Sequence, residues 1–135
     1  MSRRLAREGV FKALFQVDVG GIEPGKALSY ALHDLKLTEE EVEFAGELFR
    51  NIINISSEID SIIEKKLVNW ELKRIASVDR CLLRMAAYEI LYMPEIPSAV
   101  AINEAIELGK KYSEPDSVSF INGLLDKIQD ASCKG

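Results

Sequence analysis

Histidine and cysteine are scarce in this 135-residue chain, which has one of the first, His33, and two of the second, Cys81 and Cys133. A centre built from imidazole and thiolate needs several such ligands at short spacing, and His33 has no partners of that kind, so no metal is expected. The two cysteines are far apart, one in a helical stretch and one in the tail. That pattern suits reduced thiols in a cytoplasm better than a disulfide framework. No apolar run reaches the length of a membrane span. The arginines near the N-terminus are not followed by the apolar core of a signal peptide, which argues against secretion. Glycine and proline cluster only at 20–25, 94–97 and 113–115, and no segment alternates apolar with polar residues as a half-buried strand would. A phosphate-binding glycine loop, a nucleotide fingerprint and a nucleophile elbow are all missing. These absences point to a binding protein rather than an enzyme, with no cofactor.

What is present reads as helix throughout. Hydrophobic residues make up 47% and charged residues 29%, the balance of a globular chain with one or two small cores. The formal net charge is −5, yet the charge is segregated. Arg3, Arg4, Arg7 and Lys12 face only Glu8 in the first twelve residues, while Glu39, Glu40, Glu41, Glu43 and Glu47 crowd one later stretch. An acidic protein can therefore carry a local basic footprint.

The first helix is expected over about Ser2 to Val19, with Ala6, Val10, Ala13, Leu14 and Val17 as its core stripe. Arg4, Phe11 and Phe15 fall on another face, with Arg7 at its border. Cations interleaved with aromatics suit a single nucleic-acid strand. A second hydrophobic layer covering the rings is the other reading; it is preferred for Phe11 and left open for Phe15. A second helix follows over about Lys26 to Leu35. Thr38 and Glu41 then form a capping box for a third, with Val42, Ala45, Leu48, Phe49 and Ile52 inward. A fourth opens at Ser56 or Ser57 and buries Ile59, Ile62, Ile63 and Leu67. Trp70 reads as a packing anchor in the link between halves. The helix over about Ser77 to Met93 is apolar nearly all round and should be central. Arg80 and Arg84 share its polar strip. Glu89 lies on its apolar side and must be paired if buried.

The stretch from Pro97 to Ile128 holds two further helices around a break at Ser113-Glu114-Pro115, which makes about seven in all. Glu107 stands four residues before Lys111, the favourable order for an ion pair. The last helix is expected to start on an Asp116-Ser117 cap and to bury Val118, Ile121, Leu124, Leu125 and Ile128. Phe120 sits off that face, beside Gly123 and Lys127. A ring next to a lysine near a helix start can stack on a base while N–H groups and the ammonium hold phosphate. Coverage of Phe120 by another helix is the competing reading.

Three segments together resemble the NusB family of bacterial transcription antitermination factors: RRLAREGVFKALFQVDV, VDRCLLRMAAYEILYMPEIPSAVAINEAIEL and VAINEAIELGKKYSEPDSVSFINGLLDKI. They cover both ends of the chain; residues 20 to 70 are generic. The resemblance implies a single all-α RNA-binding domain of two small packed helical bundles, here roughly 1–68 and 73–130. It implies binding of boxA, a short single-stranded RNA in ribosomal RNA operon leaders, together with NusE, a small-subunit ribosomal protein. Other Nus factors and RNA polymerase would be met indirectly, in the cytoplasm and with no membrane. By the same resemblance Arg3, Arg4, Arg7 and Phe15 are expected on the RNA, as are Asp116, Ser117, Phe120 and Asn122. Arg80 and Arg84 are expected to reach the same strand, and Asp79 to contact NusE. Phe15 stands where a tyrosine is common, and Ser119 lacks the basic or imidazole group of many relatives.

Three other assemblies fit the same residues. One is the detached RNA-binding domain of a ribosomal RNA methyltransferase. Another is a helical scaffold that binds only protein. The third is a homodimer that covers the RNA and NusE surface.

Overall fold

The computed structural model describes residues 3–132. Among these residues there are seven α-helices and no strand: α1 (Arg4–Gly20), α2 (Pro24–His33), α3 (Glu39–Asn54), α4 (Ser56–Lys65), α5 (Ser77–Tyr92), α6 (Ser98–Tyr112) and α7 (Pro115–Ala131). A short 3₁₀ turn spans Leu72–Arg74. None of these helices is long and apolar enough to cross a membrane. The expected helical class and helix number hold. Cys81 is buried in α5, and Cys133 lies outside the described residues.

The chain divides into two compact units, Met1–Ile55 and Ser56–Gly135. The division falls earlier than the expected link at 68–73, because α4 joins the second unit. Two polar contacts tie α4 to the second unit. The Arg84 guanidinium on α5 grips Asp60 of α4 with both oxygens, at 2.7 and 2.9 Å. The Leu72 N–H donates to the Glu64 carboxylate of α4 at 2.9 Å.

In the first unit α1 packs on α2 and α3. Gly9 permits the close approach to α2: a Cβ there would lie 2.5 Å from Leu32 Cδ2 and 3.2 Å from Leu35 Cδ1. Ala6, Val10, Ala13 and Leu14 are buried as their spacing predicts. Gly21, at φ +63°, ends α1 in the left-handed region, where a Cβ is disfavoured. α2 starts two residues earlier than expected, because Pro24 suits a first helical turn and Glu23 accepts from the Lys26 N–H at 2.9 Å. The Thr38–Glu41 capping box is present in both directions. On α3 the buried stripe is shifted. Val42 is exposed, while Phe44 is buried beneath the guanidiniums of Arg3 and Arg7.

In the second unit α5 packs against α4, α6 and α7. Leu82, Leu83, Met85 and Ile90 on α5 are fully buried, each such side chain contributing about 1.5–3 kcal/mol relative to exposure. Glu89 is also buried and is not without a partner, as a carboxylate among apolar residues requires. Glu107 pairs with Lys110 at 3.0 Å rather than with Lys111, whose ammonium lies over the Tyr112 ring. α7 opens at Pro115, with no side-chain cap. Asp116 and Ser117 therefore fall inside its first turn instead of capping it, since Pro115 already sets a helical φ. Ile121, Leu124, Leu125 and Ile128 are buried.

Candidate nucleic-acid interface

The first unit offers cations and one ring along α1. Arg3 flanks the helix start, is exposed, and holds its guanidinium 4.2 Å from the Phe44 ring centroid. That cation–π contact orients the side chain without removing its charge from solvent. Arg4 is exposed as well. Arg7 is not: it is 4% exposed, with its guanidinium 5.3 Å from the same ring. Arg7 thus packs largely within the unit. Phe11 is buried, as preferred. Phe15 is half-buried, its ring 6.4 Å from that of Phe11. At 1.5 Å per residue Phe15 lies about 16 Å along the axis from Arg4, so the two would meet different parts of a strand.

In the second unit Phe120 is 37% exposed and borders two neighbouring hollows. The first includes Lys66, Val68, Trp70, Gly123 and Lys127; the second includes Trp70, Arg74, Asp79, Asp116 and Ser117. Asp116 and Asn122 are exposed on α7, and Ser117 is half-buried. Asn122 borders neither hollow.

Trp70 is 59% exposed, against its expected role as an anchor. The anchor is Leu72, 4% exposed, whose N–H is held by Glu64. Asn69 just before Trp70 takes a left-handed φ of +63°, a conformation asparagine tolerates better than most residues. That turn and the fixed Leu72 leave the indole facing outward.

Arg80 and Arg84, expected to reach the RNA, both make hydrogen bonds within the protein. The Arg80 guanidinium donates to the Ile75 carbonyl at 2.8 Å, to Ser77 Oγ at 2.9 Å, and to the Leu72 and Lys73 carbonyls at 3.4 Å. These acceptors are the carbonyl ends of the 3₁₀ turn and the residues leading into α5. Arg84 is held by Asp60, with only 17% of its side chain exposed. Both arginines tie neighbouring segments of the second unit together. Asp79 is 5% exposed and accepts from Ser113 Oγ at 2.6 Å, while still bordering the second hollow.

A model of the NusB family matches residues 4–130. The chain belongs to the NusB family. It is 43% identical to the transcription antitermination protein NusB of Desulforamulus reducens, over 96% of this chain and 91% of that one. NusB of T. maritima matches in structure with a TM-score of 0.91 and 38% identity, over 98% and 93% of the two chains. Antitermination factors NusB and NusE solved in complex with double-stranded RNA match with a TM-score of 0.89 and 28% identity, over 96% of each chain. The NusB family is one of transcription factors rather than enzymes. Among the described residues no group of His, Cys, Asp or Glu could hold a metal.

Sequence reasoning on this NusB-family chain singled out Lys127 beside Phe120 but did not reach Lys66 or Arg74, and took Trp70 for a packing anchor. One signal was available. In KKLVNWELKR the lone tryptophan of the chain is flanked on both sides by pairs of cations, an unusual setting for a core residue.

Proposed function

We propose that this chain is a transcription antitermination factor that binds boxA RNA of ribosomal RNA operon leaders together with NusE. It acts in the cytoplasm, and its effect on RNA polymerase and other Nus factors runs through that complex. The observation that carries the reading is Phe120. It is an exposed ring one turn into α7, beside Asp116 and Ser117, on a chain of the NusB family. Single-stranded RNA displays base faces and Watson–Crick edges that a duplex hides, and exposed rings and short polar side chains are what read them.

Arg3, Arg4 and Phe15 of the first unit, with Asp116, Ser117, Phe120 and Asn122 of the second, form the RNA-binding set. Arg3 and Arg4 meet phosphates, Phe15 and Phe120 meet bases, and Asp116, Ser117 and Asn122 hydrogen-bond to base edges. The two units act as one RNA-binding domain. Asp79, fixed by Ser113 at the edge of a hollow, belongs to the NusE contact. Its near-complete burial restricts it to a donor that enters the hollow.

Titration of labelled boxA RNA tests the reading, with circular dichroism on the same samples. Phe15→Ala and Phe120→Ala are each expected to weaken binding by about 1–3 kcal/mol while leaving helicity unchanged. Normal affinity in both variants removes these site assignments. A duplex of the same sequence should bind more weakly than the single strand. Equal binding would point instead to recognition of the RNA backbone alone.

A further inference from the structure

The two hollows beside Phe120 share the Trp70–Phe120 border but differ in charge. The first carries Lys66 and Lys127 and no carboxylate. The second carries Asp79 and Asp116 with Arg74. A polyanion is drawn to the first and repelled by the carboxylates of the second. The first hollow, about 350 Å³, also presents an indole that the fold holds outward through Asn69 and Leu72. Gly123 on its floor has open space above its Cα, so a flat group can lie close to the α7 backbone. Exposed indole, phenyl ring and two ammonium groups around one open hollow match the needs of a stacked base and its phosphate.

We propose that the hollow of Lys66, Val68, Trp70, Phe120, Gly123 and Lys127 holds a nucleotide of single-stranded RNA, with the base against Trp70 and the phosphate met by Lys66 and Lys127. This rests on the RNA-binding reading above and extends it to a second aromatic contact. The second hollow keeps Asp116 and Ser117 for base edges and holds no phosphate. Trp70 and Phe120 thus border both a phosphate-holding hollow and one that offers carboxylate acceptors.

The chain has a single tryptophan, so its emission reports this hollow directly. The test follows indole fluorescence and the anisotropy of a labelled short boxA oligoribonucleotide on the full chain, with and without NusE. Addition of RNA should quench the emission with the same midpoint that anisotropy gives. Trp70→Ala should weaken RNA binding about tenfold at unchanged helicity, and Trp70→Phe should keep most of the affinity. Replacing Lys66 and Lys127 by glutamine should lower the salt slope of binding by about one to two. RNA bound with emission unchanged, or bound normally by Trp70→Ala, overturns the hollow as an RNA site and leaves the RNA-binding function intact. Emission that responds to NusE alone and not to RNA assigns the hollow to protein and likewise overturns the proposal. Absence of RNA binding by the wild-type chain under both conditions removes the function and this inference together.

Discussion

Arg80 and Arg84 stand one turn apart on α5, and each meets a different local need. Arg80 donates to the Lys73 and Ile75 carbonyls and shares the Leu72 carbonyl, which also accepts from the Ile75 N–H. Arg84 joins α5 to α4 through a two-point grip on Asp60. A paired, partly buried charge loses more when one partner goes than when both go, because the survivor stays desolvated. Asp60→Ala and Arg84→Ala are each expected to destabilise the fold by about 2–3 kcal/mol. The double variant should lose clearly less than the sum of the two. Urea unfolding of the four proteins checks this, and additivity would show that the pair is not coupled. Both arginines read correctly from the sequence as the polar strip of an apolar helix. Their partners did not, since Asp60 lies 24 residues earlier in the chain and spacing on one helix says nothing about a neighbouring one.

At the scale of elements, helix ends written in local chemistry were legible. The Thr38–Glu41 box is complete within four residues, and the structure reproduces it. The start of α7 was read two residues late, because Pro115 and the Asp116-Ser117 pair are competing start signals and the proline prevails. Helix-to-helix approach was not legible. Gly9 appears in sequence as an ordinary weak point of α1, but it is where α2 comes nearest. Leucine at this position would have to occupy space already held by Leu32 and Leu35. Gly9→Leu is expected to destabilise the protein by about 1–3 kcal/mol despite leucine's better helix propensity. A thermal midpoint below that of the wild type checks it; a gain in stability would mean that the two leucines swing aside freely.

For the molecule as a whole, the proposed RNA binding depends on charge. The chain has a net charge of −5 with 17 lysines and arginines, of which Arg7, Arg80 and Arg84 contact the rest of the protein. The proposed phosphate contacts are Arg3, Arg4, Lys66 and Lys127. Each phosphate neutralised on a single strand contributes about −0.7 to the slope of log affinity against log salt. A slope of about −2 to −3 is expected for the chain alone, measured by anisotropy over a range of salt concentrations. A slope near zero would rule out phosphate contacts. Weak dependence of this kind would leave specificity to rings and hydrogen bonds.

The sequence by itself determined the helical class, the α3 cap and most of the buried stripes of α1, α5 and α7, with Val17 and Val118 only half-buried. All of these depend on residues a few positions apart on one helix. It also placed Phe120 off the core face of α7, since a helical wheel needs only local geometry. Tertiary structure alone decided that Arg7, Arg80 and Arg84 contact other parts of the protein, and that Leu72 rather than Trp70 is the anchor. Those outcomes depend on where carbonyls and carboxylates of other segments come to rest, and hydrogen bonding to distant partners leaves no periodic trace in the order of residues.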